Sequence, residues 1–219
     1  MPEHRSNRLL GFAALALAVF GATRVMHAQS TETGPPQPPA SAVGQLFDPN
    51  NGQMPAGVLA PLDYSVPVHI DMPAIGVHAD IMSLGLGSDN SLAVPPLSQA
   101  KQAGWYERSP APGQNGASII DAHVDSALMK DYRGAFFTLG QARPGQEIDV
   151  VRADHSVAVF TIDSVQVALK TAFPDAIVYA PVPYPALRLI TCGGGFDAKT
   201  HEYLGNTIVY AHLAATRSQ

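Results

Sequence analysis

The thiol of Cys192 is the only one in the chain, and it follows the apolar run Leu187-Arg188-Leu189-Ile190-Thr191. Gly193-Gly194-Gly195 come next. The run reads as a buried strand that the glycines end, which puts the thiol beside a flexible turn where substrate can approach. One cysteine permits no intrachain disulfide. With a histidine partner elsewhere in the chain, such a thiol points to nucleophilic catalysis. The competing reading is a small buried hydrophobe, because free cysteine is among the most buried residue types. His123 is the candidate partner. It follows the apolar strand Ala117–Ile120 in the segment Asp121-Ala122-His123-Val124-Asp125-Ser126. Asp125 or Asp121 can orient the imidazole or favour its charged form. The competing reading is a set of solvated turn residues. The chain has eight histidines, with no HxxxH or CxxC grouping among them. That pattern argues against a metal site, and no cofactor is expected.

Both candidates need strands to carry them, and the chain supplies strands. Val66–Met72 and Val77–Met82 alternate apolar and polar residues. Ala117–His123, Glu147–Arg152, Val157–Val165, Ala186–Cys192 and Asn206–Leu213 are β-branched or apolar runs. Ala153-Asp154-His155-Ser156 is a plausible hairpin loop between two of them. Seven or eight short strands with turn signals predict a mainly β fold, a closed barrel or a sandwich. Short helical turns are expected in Leu97–Tyr106 and in Ala172-Phe173-Pro174-Asp175-Ala176.

Arg5 and Arg8 precede the uncharged, mostly apolar Leu9–Ala22. This is a positively charged lead followed by an apolar region of signal-peptide length, shorter than the ~20 residues that span a bilayer comfortably. Ending at Ala22 or Ala28 puts Phe20 or Met26 at the −3 position, where a small residue is wanted. Residues 1–28 are therefore expected to be an uncleaved signal-anchor, with a cleaved signal peptide as the alternative. Either way the rest is exported. Residues 29–61 are rich in proline, including Pro35-Pro36-Gln37-Pro38-Pro39, and are expected to form a hydrated linker that the fold can do without. Residues 62–219 fit one domain. The net charge is −5 and no basic stripe appears, which disfavours nucleic acid as a partner.

The motifs resemble those of the sortases, cysteine transpeptidases of Gram-positive cell surfaces. Leu189-Ile190-Thr191-Cys192 is similar to the family's strand around the nucleophile, and Ile119–Ser126 to its histidine segment. Thr191-Cys192-Gly193-Gly194-Gly195-Phe196-Asp197, with His123-Val124-Asp125-Ser126, most resembles the actinobacterial class F branch. Ile70–Val77, Gly104-Trp105-Tyr106, Ala135–Leu139 and Tyr203-x-x-Asn206 also fit, so the resemblance covers about residues 64 to 213. It implies a sortase β-barrel of about eight strands. It also implies cleavage of a C-terminal sorting signal of the Leu-Pro-x-Thr-Gly type through a thioacyl-enzyme, followed by transfer to an amine of the cell envelope. Cys192 takes the nucleophile's role and His123 the proton carrier's. The enzyme is then expected to be held at the membrane by its N-terminal segment.

One part of the family pattern is missing. Sortases carry an arginine downstream of the cysteine, and here no arginine lies between Cys192 and Arg217. Asn206 stands in the matching segment and can donate to an oxyanion as a neutral group. Arg188 is the other candidate, four residues before Cys192 and on the same face of an alternating strand. Two alternatives follow: a cysteine hydrolase of the same fold, or a catalytically impaired binding protein.

Overall fold

The computed structural model describes residues 34–47, 53–88 and 91–219. The expected signal-anchor lies outside the described residues. Among the described residues, no helix is long and apolar enough to cross a membrane.

Alternating and β-branched runs make eight strands: β1 (Pro67–Met72), β2 (Val77–Leu84), β3 (Ala103–Tyr106), β4 (Gly116–Ala122), β5 (Glu147–Arg152), β6 (Ser156–Leu169), β7 (Pro185–Asp197) and β8 (Glu202–Ser218). They close a barrel in the order β1-β2-β3-β4-β7-β8-β6-β5, with β5 pairing back onto β1. Closure leaves no sheet edge to pair with another chain. Neighbours are antiparallel except for β2 with β3 and β4 with β7. A parallel pair cannot be joined by a tight turn. The chain between β4 and β7 accordingly travels around the barrel through β5 and β6 before it returns.

β7 is apolar along most of its length because both of its faces are covered. Leu187 and Leu189 point into the barrel with Ile70, Ile120, Phe136, Phe160 and Val209. Ala186 and Ile190 point outward and pack with Ile119, Val178, Tyr184, Ile208 and Tyr210. The connection from β6 to β7 lies over this outer layer. It contains the one-turn helix α1 (Asp175–Val178), which contributes Val178 to the cluster.

Three local expectations are corrected. Leu97–Tyr106 is helical only over Leu97–Gln99, and its second half is β3. The glycines do not end β7: the strand runs on to Asp197 through a bulge, where Gly194 and Gly195 have φ of 74° and 97°. Those positive angles suit glycine, so the run bends the strand without stopping it. Asn206 lies inside β8, which begins at Glu202.

The described part of the proline-rich stretch lies on the barrel. Ala42 is fully buried in the interior core, and Leu46 and Val58 pack on the outer cluster. The Leu59 amide donates to the Leu213 carbonyl at 2.8 Å. A Cβ added at Gly140 would fall 1.9 Å from the Pro36 carbonyl oxygen, so the strap passes directly over that turn. Prolines restrict the chain before it docks and lower the entropy lost on docking. Composition alone does not separate such a strap from a free stalk.

Candidate active site

The parallel pairing of β4 with β7 sets the site. Ile119 pairs with Arg188, Ile120 with Leu189 and Asp121 with Ile190. Beyond the last paired residues, the Thr191 hydroxyl donates to the Ala122 carbonyl at 2.7 Å. The same register brings His123 level with Cys192. Because Ile190 faces outward, Cys192 does too, and it emerges on the barrel's outer surface under the β6–β7 connection.

His123 and Cys192 line one cavity of about 520 Å³, together with Asp121, Thr191, Asn206 and Lys170. Apolar walls come from Leu92 and Val94 on one side and Phe173, Tyr179 and Ile190 on the other.

His123 Nε2 lies 2.6 Å from the Pro95 carbonyl. A carbonyl only accepts, so Nε2 carries a proton and donates it there. Proton exchange with Cys192 then falls to Nδ1 while that contact holds. Burial pushes the Cys192 thiol above its ordinary value; Lys170 pulls it back, and Asp125, Asp121 and Glu202 push it further up. A thiol raised in this way gives up its proton less readily, so its attack on a carbonyl calls for a base.

Asn206 pairs with Cys192 across β7 and β8. Its amide nitrogen donates to the Thr191 carbonyl at 3.3 Å, which fixes the side chain beside the thiol. Arg188 is elsewhere. It is 3% exposed, its guanidinium sits 4.9 Å from the centre of the Tyr210 ring, and Nη1 donates to the Leu187 carbonyl at 3.1 Å. It lines a small separate cavity with Phe47, Asp163 and Tyr184. The alternation does put Arg188 on the face of Cys192, but that face is roofed by the strap at Arg188 and open at Cys192.

Asp125 accepts a short hydrogen bond from the Tyr203 hydroxyl and lines a neighbouring cavity of about 820 Å³. It ties the loop after β4 to the start of β8. Asp121 is 9% exposed, and its Oδ1 is buried without a hydrogen-bond partner. Burial raises its carboxyl to about 7, with its own backbone amide pulling the other way. A protonated Asp121 can donate a hydrogen bond into the cavity.

Lys170 is the residue the sequence concealed. It follows the end of β6 and, among the described residues, is the only lysine or arginine lining the Cys192 cavity. Its position depends on the length of β6 and its pairing with β8, where Ala168 lies opposite Asn206. No local pattern marks it.

Residues 70–214 match the family model described as Sortase domain. Among solved structures, sortase SrtA from Actinomyces oris superposes with a TM-score of 0.53 at 22% identity, covering 74% of this chain and 89% of that one. A lid mutant of sortase A from Corynebacterium diphtheriae gives a TM-score of 0.51 at 20% identity, covering 70% and 73%. At these identities the likeness is one of fold. No curated protein matches the chain.

Proposed function

Because the chain belongs to the sortase family, we propose that it is a cysteine transpeptidase that uses Cys192 as nucleophile and His123 as proton carrier. The observation that carries this reading is the β4–β7 register, which puts the two side chains on one cavity. His123 takes the thiol proton as Cys192 Sγ attacks the carbonyl of the threonine in a Leu-Pro-x-Thr-Gly-like sorting signal. Asn206 donates to the oxyanion. The Thr–Gly bond breaks, the proton passes from His123 to the departing glycine amine, and a thioester remains on Cys192. An amine of the cell envelope then attacks the thioester, loses its proton by way of His123, and releases the thiol. The string Thr191–Asp197 supports placement in the class F branch.

The N-terminal segment is proposed to hold the enzyme at the outer face of the cell membrane, where both substrates are found. Its sequence, with Arg5 and Arg8 before an apolar stretch, supports that placement.

The test is product analysis with a sorting-signal peptide, with and without an added amine such as an oligoglycine. A transpeptidase converts the peptide to the amine-ligated product in proportion to the amine. Release of free acid alone, unaffected by the amine, would assign a hydrolase. No cleavage and no ligation under either condition would assign a binding protein.

A further inference from the structure

Four polar side chains meet on the outer face of β1 and β2, which lie across the barrel's strand order from β7 and β8. The sequence repeats His-x-Asp nine residues apart, as His69-Ile70-Asp71 and His78-Ala79-Asp80. The antiparallel register sets His69 opposite Asp80 and Asp71 opposite His78. Residues two apart on a strand share a face, so all four project together. The spacing is not one of the familiar helix-borne metal motifs. Only the pairing of the two strands makes it a cluster, which is why the scattered histidines look unpromising in sequence.

Three electron-pair donors converge there. His69 Nε2 is 2.9 Å from His78 Nδ1, His78 Nδ1 is 2.5 Å from Asp71 Oδ1, and His69 Nε2 is 3.5 Å from Asp71 Oδ1. The two rings lie 4.1 Å apart, tilted by 60°. On its other side, His69 Nδ1 is 2.8 Å from Asp80 Oδ1. A carboxylate only accepts, so Nδ1 carries the proton of His69 and Nε2 offers a lone pair. Asp71 likewise offers only lone pairs. Without a cation, a single N–H on His78 must serve both Nε2 and Asp71.

We propose that His69, Asp71 and His78 bind a divalent transition-metal ion, with Zn2+ the best fit, and that Asp80 orients His69 from behind. Ligand atoms around a tetrahedral Zn2+ at 2.0–2.1 Å stand roughly 3.3–3.5 Å apart. The 3.5 Å edge of the observed triangle already fits, and the edges of 2.9 and 2.5 Å must open by about 0.4 and 0.8 Å, both by movement of His78. His78 is free to make that adjustment, since 76% of its side chain is in solvent. A carboxylate behind a ligating imidazole fixes its tautomer and direction, and His69–Asp80 has that arrangement. Two imidazoles and one carboxylate suit Zn2+, Co2+, Ni2+ or Cu2+; Ca2+ and Mg2+ prefer oxygen ligands. Three protein ligands leave a position for water. The cluster opens into a cavity of about 720 Å³, also lined by His155 and Gln219, that shares no residue with the Cys192 cavity. Bound there, the ion clips β1 to β2 across the turn at Pro73–Ile75.

The test is Zn2+ titration of the full chain by calorimetry in a Cys192→Ala background, which removes the thiol as a competing ligand. Co2+ spectra would report coordination geometry. One equivalent of Zn2+ is expected to bind with micromolar or tighter affinity, to raise the melting temperature, and to give the visible absorption of a tetrahedral cobalt site. Both His78→Ala and Asp71→Asn should remove that binding, and Asp80→Asn should weaken it by about 10–100-fold. If His78→Ala does not fold, His78→Gln carries its arm. Absence of binding at millimolar Zn2+, or affinity unchanged in either ligand variant, would overturn the proposal.

Discussion

Cys192 stands level with His123 because β4 and β7 run parallel in a register that pairs Asp121 with Ile190. The Thr191 hydroxyl, bonded to the Ala122 carbonyl, carries that alignment past the last paired residues. One slip of this register would turn Cys192 into the barrel and remove it from the cavity. The placement of Cys192 beside His123 is thus a property of the strand ladder.

The proposed oxyanion role falls to Asn206, which the sequence also favours, and not to Arg188. Asn206→Ala should lower kcat/KM for a sorting peptide by about 10²–10³, the usual effect of losing one such donor. Arg188→Ala should leave kcat/KM within a few-fold and lower stability instead, by about 1–3 kcal/mol, because a buried side chain packed on Tyr210 is lost. Steady-state kinetics with urea denaturation of both variants decides this. An inactive but stable Arg188→Ala would reverse the assignment.

Lys170 lowers the thiol that burial raises. Removing the charge in Lys170→Gln should shift the pH profile of Cys192 alkylation by iodoacetamide to higher pH, leaving the limiting rate at high pH unchanged. A profile that stays in place would show that Lys170 does not act on the sulfur.

Asp121 links the site to stability. Its carboxyl titrates at about 7 in the folded protein against 3.8 ordinarily, so the folded state holds this proton more tightly than the unfolded chain. The resulting stabilisation is fully present below about pH 4 and is lost as pH rises to about 7. Asp121→Asn has no proton to lose. It should gain on the wild type by about 2–4 kcal/mol between pH 4 and pH 8, following 1.36 kcal/mol per pH unit between the two values. Denaturation midpoints at the two pH values measure the difference. A constant difference would mean that Asp121 titrates normally.

The proline-rich strap is expected to contribute to stability. Ala42→Asp puts a carboxylate into the interior core, where it has no partner. A loss of about 2–4 kcal/mol should lower the melting temperature by roughly 5–15 °C for a domain of this size. Calorimetric scans of wild type and variant test this. An unchanged melting temperature would make residues 34–47 a dispensable tether.

Much of this was legible in the sequence, for reasons that differ from residue to residue. Seven of the eight strands follow from local runs, and Cys192 and His123 stand out as candidates because both lie where an apolar run meets polar sequence. β3 was hidden because Ala103-Gly104-Trp105-Tyr106 is too short to show a period. The continuation of β7 was hidden because glycines at positive φ can bend a strand as well as end it. Lys170 and the His69–His78 cluster depend on which strands pair, information that is spread over the whole chain. Arg188 shows the limit of alternation: it predicts the face correctly, yet one face is roofed at one point and open at another.

Whether Cys192 carries the acyl group is decided by mass spectrometry of the protein quenched with acid during turnover of a sorting-signal peptide. An adduct with the mass of the peptide up to its threonine is expected on the fragment containing Cys192, and it is absent from Cys192→Ala, which also fails to cleave. Cleavage that persists in Cys192→Ala, or an adduct mapped to any other residue, would contradict this assignment.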